Sequence, residues 1–230
     1  MARAFRLLSI LCVLSLSVIP GCSKTSGGSA VSFRSQDGVL LEGRTFGRLG
    51  RGVILAHMYP GDQSRWFGFA KDLSNLGFQV LTFNFRGYGH SQGTKDVPLI
   101  SRDVVGAVEF MHRSGVKKIV LIGASMGGTA SLVAASQIQV QGVATLSAPE
   151  RFMGLDAEPA LTSVSAEKIF LAAQGDPNSK DATSMLKGTN DPGADIRLFP
   201  GADHGIDMLS GRSGEEVRKV LIDFIRKSTS

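Results

Sequence analysis

Short, unbroken apolar runs alternate along this chain with stretches in which apolar residues recur every three or four positions. The runs at Gly52 to His57, Gln79 to Phe85, Lys118 to Ala124, Gly142 to Ser147, Lys168 to Ala173 and Asp195 to Phe199 predict strands. Most lack polar alternation, as expected of parallel strands covered on both faces. Between them, Trp66, Phe69, Ala70, Leu73 and Leu76 make one helical stripe, and Val104, Val105, Val108 and Met111 a second. Val217, Val220, Leu221, Phe224 and Ile225 make the last, behind a capping box of Ser213 with Glu216. Val31 to Ser35 and Val39 to Phe46 predict two further strands joined at Asp37-Gly38, a hairpin signal. The sum is an α/β domain over 31–230: a doubly wound, mostly parallel sheet of about eight strands with an antiparallel N-terminal hairpin. In such sheets ligands sit beyond the carboxyl ends of the strands.

The first residues follow a different rule. Arg3 and Arg6 precede an apolar stretch from Leu7 to Ile19, shorter than the ~20 residues a bilayer span requires and shaped like a secretory signal. It ends in Ile19-Pro20-Gly21-Cys22, which resembles the lipobox of bacterial lipoproteins, where the cysteine takes a diacylglycerol and becomes the first residue. Residues 1–21 are then a signal peptide. Cys22 is the lipidation site, and 22–30 form a Ser/Gly/Thr-rich tether. The expected location is the cell envelope, membrane-anchored, and Ser23 after the cysteine favours the outer membrane if the cell is Gram-negative.

The two cysteines agree with this: Cys12 leaves with the signal, and acylation uses Cys22, so no disulfide and no cysteine metal site can form. Loss of Arg3 and Arg6 lowers the formal charge from +5 to +3, and the chain has no basic run of the kind nucleic-acid binding needs.

Candidate chemistry centres on Gly123-Ala124-Ser125-Met126-Gly127-Gly128, set between a strand and the helical run from Thr129 to Ala135. Strand, G-x-S-x-G, helix is the nucleophile-elbow pattern: the turn is so tight that residues two before and two after the serine must be nearly free of side chain. A serine hydroxyl needs a base, and the base an orienting acid. Of the four histidines only His204 follows the serine, on the loop after the last strand. Asp176, after the strand Ile169 to Ala173, is the candidate acid. Asp203 is adjacent to His204, where neighbouring side chains on extended backbone point apart, and Asp181 reads as a helix cap.

With these residues in place, the chain resembles an α/β-hydrolase-fold serine hydrolase of the dienelactone hydrolase-like and small-esterase branches, over about residue 31 to the end. The resemblance rests on the elbow, on Leu55-Ala56-His57-Met58-Tyr59-Pro60-Gly61, on Arg86-Gly87-Tyr88-Gly89-His90-Ser91 and on Pro200-Gly201-Ala202-Asp203-His204-Gly205. It implies a Ser125–Asp176–His204 triad and an oxyanion hole from the backbone amides of Met126 and, by position, Tyr59, with Met58 as the alternative second donor. It departs from the family pattern at Met58, Asn84 and Ala173, where glycine, aspartate and glycine are usual. It implies a small-molecule ester substrate and neither cofactor nor metal. His57 is expected to support the oxyanion loop, His90 to order the Arg86–Ser91 turn, and His112 to lie on a helix surface.

Glu150 to Glu167, where this fold carries its lid, spans few residues, so a minimal cap and an open acyl site are expected, with Phe152, Met153 and Leu155 as candidate lining. A peptidase or amidase on the same triad would need acidic residues for a free amine, for which Glu150, Asp156 and Glu158 are available. A non-catalytic envelope lipoprotein using the fold for binding is the third reading.

Overall fold

In the computed structural model, which describes residues 27–48 and 50–230, eight strands form one sheet. They are β1 (Ser29–Arg34), β2 (Leu40–Phe46), β3 (Gly52–Ala56), β4 (Gln79–Phe83), β5 (Ile119–Ala124), β6 (Gly142–Leu146), β9 (Glu167–Ala173) and β10 (Asp195–Phe199). Their order is β1-β2-β4-β3-β5-β6-β9-β10. The six from β4 to β10 are parallel, while β2 runs antiparallel to both β1 and β4. The expected signal peptide over 1–21 and the expected lipidation site Cys22 lie outside the described residues. The first strand begins at Ser29, two residues before the expected start, because the backbones of Ser29 and Ala30 still pair with Thr45 and Arg44.

Helices α1 (Phe67–Asn75) and α6 (Gly214–Ser228) cover one face of the sheet. Helices α2 (Ile100–Arg113), α3 (Met126–Ala135), α4 (Glu158–Leu161) and α5 (Ser179–Gly188) cover the other. This explains the unbroken apolar runs. Successive side chains of a strand point to opposite faces, and along β5 Ile119 and Leu121 enter one core while Val120 and Ile122 enter the other. The expected cap is a two-stranded hairpin, β7 (Arg151–Phe152) with β8 (Leu155–Asp156), followed by the single-turn α4.

Two local expectations fail. Leu76 is 47% exposed, because Gly77 adopts φ +90° and ends α1 before the stripe is complete. Ser213 heads α6 but does not cap it: its hydroxyl donates to the Pro200 carbonyl at 3.2 Å, a tertiary contact that replaces the capping box.

The Arg86–Ser91 turn is locked by buried charge. Arg86 donates to Asp103 at 2.6 and 2.9 Å and to Asp37 of the β1–β2 turn at 2.7 and 2.9 Å. The Arg86 guanidinium holds the Asp37 carboxyl far below the usual carboxylate range. Within the turn, Ser91 Oγ donates to the Asn84 carbonyl at 2.7 Å, and the buried Asn84 amide donates to Glu42 at 2.8 Å. His90 contributes its backbone N–H, which donates to Glu42 at 2.9 Å, while its ring stands in solvent. His112 is exposed, its Nδ1 2.8 Å from the Val116 carbonyl.

Candidate active site

The carboxyl ends of β3, β5, β9 and β10 meet at one edge of the sheet and carry the candidate residues. Ser125 links β5 directly to α3 with φ 48° and ψ −122°, a conformation that L-residues adopt only under constraint. The constraint is steric. A Cβ at Gly123 would lie 2.2 Å from the Gly127 carbonyl oxygen, and one at Gly127 would lie 2.5 and 2.6 Å from the carbonyl oxygens of Ala56 and His57. Strand and helix thus touch backbone to backbone, and the serine is held at the apex. Ser125 Oγ has no hydrogen-bond partner among the described residues. The Met126 N–H begins α3 immediately after it, one of the N–H groups that a helix start leaves without an intrahelical acceptor.

Asp176 follows β9, and His204 sits at the head of a 3₁₀ turn (Gly205–Leu209) after β10. Their loops are tied together: Gln174 N–H donates to the Phe199 carbonyl and Gly175 N–H to the Gly201 carbonyl, both at 2.8 Å. His204 Nδ1 lies 2.9 Å from Asp176 Oδ2, with the carboxylate fully buried and the imidazole one-third exposed. Asp176 Oδ1 accepts from the Asn178 N–H at 2.9 Å, and the Asn178 side chain donates to the Ser147 carbonyl at 2.9 Å. Asn178 therefore orients the acid, a role that sequence reading missed; the Asp-Pro-Asn turn composition was its only signal. The rival acids face elsewhere. The Asp203 carboxylate lies against Gly211, where a Cβ would come within 2.5 Å of its Cγ. Asp181 sits in the first turn of α5 rather than at its cap, its Oδ2 3.4 Å from the Glu150 N–H.

The loop after β3 is organised by His57. Its Nε2 accepts from the Phe85 N–H at 3.2 Å, which leaves Nδ1 to carry the proton and donate to the Met58 carbonyl at 2.9 Å. The ring is fully buried between Phe85 and Tyr88, with centroids 4.8 and 5.0 Å away. Burial lowers its pKa to about 4, so it stays neutral at ordinary pH. The Met58 carbonyl is pinned to the ring, and in a trans peptide the following N–H, that of Tyr59, points the opposite way. The Met58 side chain packs under the His204 loop: a Cβ on Gly205 would be 3.0 Å from its sulfur.

The hairpin of β7 and β8 lines the same edge. Phe152 approaches Tyr59 with centroids 6.0 Å apart, and Met153 at the tip is 65% exposed. Leu155 turns into the core. Two of the three acidic candidates for an amine site are engaged: Arg151 pairs with Asp156 at 2.9 Å and also with Glu158.

A family model described as alpha/beta hydrolase fold matches residues 53–178. Among relatives, the serine hydrolase BPHL of Homo sapiens is 35% identical over 121 residues, covering 51% of this chain and 40% of that protein. The YfhR protein of Escherichia coli K12 is 27% identical over 231 residues, covering 85% and 80%. Among solved structures, the Pyrococcus furiosus esterase Pf2001 superposes with TM-score 0.80 at 16% identity, over 93% of this chain and 96% of that one. A thermophilic esterase from Thermogutta terrifontis superposes with TM-score 0.71 at 19% identity, over 88% and 100%.

Proposed function

The chain belongs to the alpha/beta hydrolase fold family, and on that premise we propose that it is a serine carboxylesterase working through an acyl-enzyme on Ser125. The observation that carries this reading is the buried Asp176 carboxylate on His204 Nδ1 at 2.9 Å, at the same sheet edge as a serine held at a strained elbow. With its Nδ1–H donating to Asp176, the imidazole keeps Nε2 free to act as a base. His204 Nε2 removes the Ser125 proton as Oγ attacks the ester carbonyl carbon. The oxyanion formed there accepts the N–H of Met126 and, from the loop that His57 orients, the N–H of Tyr59. His204 then returns the proton to the leaving alkoxide, the C–O bond breaks, and the alcohol departs. Water attacks the acyl-enzyme with the same base, releasing the carboxylic acid and restoring Ser125. The missing Ser125–His204 hydrogen bond does not oppose this, since such bonds are often long in unliganded enzymes.

The short cap supports small or surface-accessible esters, with Tyr59, Phe152 and Met153 as the apolar rim. The esterases among the structural neighbours favour this reading, and the engagement of Asp156 and Glu158 by Arg151 disfavours an aminopeptidase. The leader reading completes the proposal: residues 1–21 are removed, Cys22 is acylated, and the domain is held at the envelope. The test is intact-mass and peptide mapping after a fluorophosphonate probe. One adduct on Ser125, absent in His204→Ala, is expected. A folded protein with no adduct would overturn the esterase reading and favour a binding lipoprotein.

A further inference from the structure

The edge of the sheet opposite Ser125 has no part in the chemistry above, yet its composition is distinct. Arg48 and Arg51 lie on the turn leading into β3, and Lys117 and Lys118 on the turn leading into β5. The two turns are neighbours: Gly52 pairs with Ile119, and the Gly52 N–H donates to the Lys118 carbonyl at 2.7 Å. Arg113 ends α2 on the same edge. Some of these cations have structural duties. Arg113 pairs with Glu109 at 3.6 Å, and Lys118 Nζ donates to the carbonyls of Thr229 and Ser230. Arg48, Arg51 and Lys117 are exposed and have no ion-pair partner among the described residues.

The chain reaches the domain at this edge. Going back from Ser29, which pairs with Thr45, it passes Gly28 and Gly27, whose carbonyls accept from Arg44 at 3.3 and 3.0 Å. That is the direction in which β2 runs on to Gly47 and Arg48. Only four residues, Ser23 to Ser26, separate Cys22 from Gly27, so five extended steps allow at most about 18 Å. A tether that short keeps this edge within reach of whatever surface holds the cysteine, and leaves the seating to the side chains. Each basic side chain near an anionic leaflet adds attraction within a screening length.

We propose that this basic edge is the membrane-facing surface of the protein, seated on anionic lipid headgroups when Cys22 is acylated. The proposal rests on the acylation of Cys22. It fixes where the chemistry happens. The parallel strands carry the nucleophile on the opposite edge, about 20 Å from the basic turns for a strand the length of β5. Ser125 therefore opens away from the bilayer, and its esters arrive from the aqueous side rather than from the leaflet beneath. Among the described residues no helix is long and apolar enough to cross a membrane, so the contact is one of apposition.

The test uses the full chain, purified from membranes and reconstituted into phosphatidylcholine vesicles with or without phosphatidylglycerol, with headgroup-nitroxide lipids as quenchers. A fluorophore is placed on Ser114→Cys, at the basic edge, or on Glu215→Cys, at the other; with Cys22 acylated, each is the one free thiol. In anionic vesicles the label at 114 should be quenched at least about threefold more than that at 215, since quenching falls steeply across the ~20 Å between edges. The difference should collapse in 1 M salt, where screening shortens to about 3 Å, and in the triple variant Arg48→Glu, Arg51→Glu, Lys117→Glu. Equal quenching, or stronger quenching at 215, overturns the orientation. Preferential quenching at 114 that ignores lipid charge and salt overturns the basic contact. A Cys22 peptide without the diacylglyceryl mass overturns the anchor itself, while leaving the fluorophosphonate result on Ser125 intact.

Discussion

The two edges of this sheet are built from the same strands and could hardly differ more. At the carboxyl edge the backbone is forced: Ser125, Ser147 and Met153 all sit at positive φ between 46° and 52°, and Asp176 and His57 are buried. At the amino edge the turns before β3 and β5 carry exposed cations. The strain and buried charge there lie before β10 and at the start of β9, in Asn190 at φ 49° and in the buried Lys168, which donates to the Val164 and Ala166 carbonyls and pairs with Asp191 at 2.8 Å. Strain and buried polar groups cost stability, and surrounding structure must hold them. Around Ser125 they lie beside Asp176, His204 and the His57 loop. The amino edge can carry charge cheaply because solvent screens it. The difference teaches that substitutions around Ser125 should change chemistry and stability together, and substitutions of the exposed cations Arg48, Arg51 and Lys117 neither.

The largest effect is expected at the elbow. Ser125→Ala should lower kcat by about 10⁴-fold or more, the loss serine hydrolases show without their nucleophile, measured on a p-nitrophenyl ester. Ser125→Gly should be equally inactive yet more stable, by about 1 kcal/mol, because glycine accepts φ 48° without strain. A destabilised glycine variant would show that the elbow is not strained.

Next comes the buried charge cluster beside the same edge. Arg86→Leu leaves Asp103, fully buried, without its partner, and should cost about 3–5 kcal/mol in denaturant unfolding. A loss under about 1 kcal/mol would mean that the cluster behaves as a surface ion pair.

A third test uses pH. His57 has its pKa lowered to about 4 by burial, whereas unfolded histidine titrates near 6.5. Between these values the unfolded chain binds the extra proton. His57 therefore leaves stability intact above about pH 6.5 and erodes it as the pH falls toward about 4, by about 3 kcal/mol in all. Unfolding free energies compared at pH 7 and pH 4.5 should differ by less in His57→Gln than in the parent. An unchanged difference would remove His57 as the source.

The smallest effect is expected at the opposite edge. Arg51→Glu should leave kcat and KM unchanged on a soluble ester and shift unfolding by no more than about 0.5 kcal/mol. A tenfold loss of activity there would couple the two edges and break the comparison.

Much of this was legible in the chain itself. Unbroken apolar runs located six strands of the sheet, the Asp37-Gly38 turn the two of the hairpin, and 3.6-residue stripes α1, α2 and α6, while α5 showed no such stripe. The glycines around Ser125 announced a turn too tight for side chains, because that requirement is local and each residue states it. Chain order placed Asp176 and His204 after successive strands. Three things had to wait for the tertiary structure. Which aspartate meets His204 depended on how the loops after β9 and β10 are tied, and Asn178 entered only there. Leu76 and Ser213 departed from their helical patterns because a glycine stop and the Pro200 carbonyl outweighed local propensity. The proton on His57 Nδ1 was decided by an N–H from Phe85, 28 residues away in sequence. The sequence by itself determined the elements and the residue types chemistry would need, since periodicity and steric demand are written residue by residue. Only the folded chain decided which side chains face one another, because pairing across a sheet edge is set by register and loop contacts that no local stretch encodes.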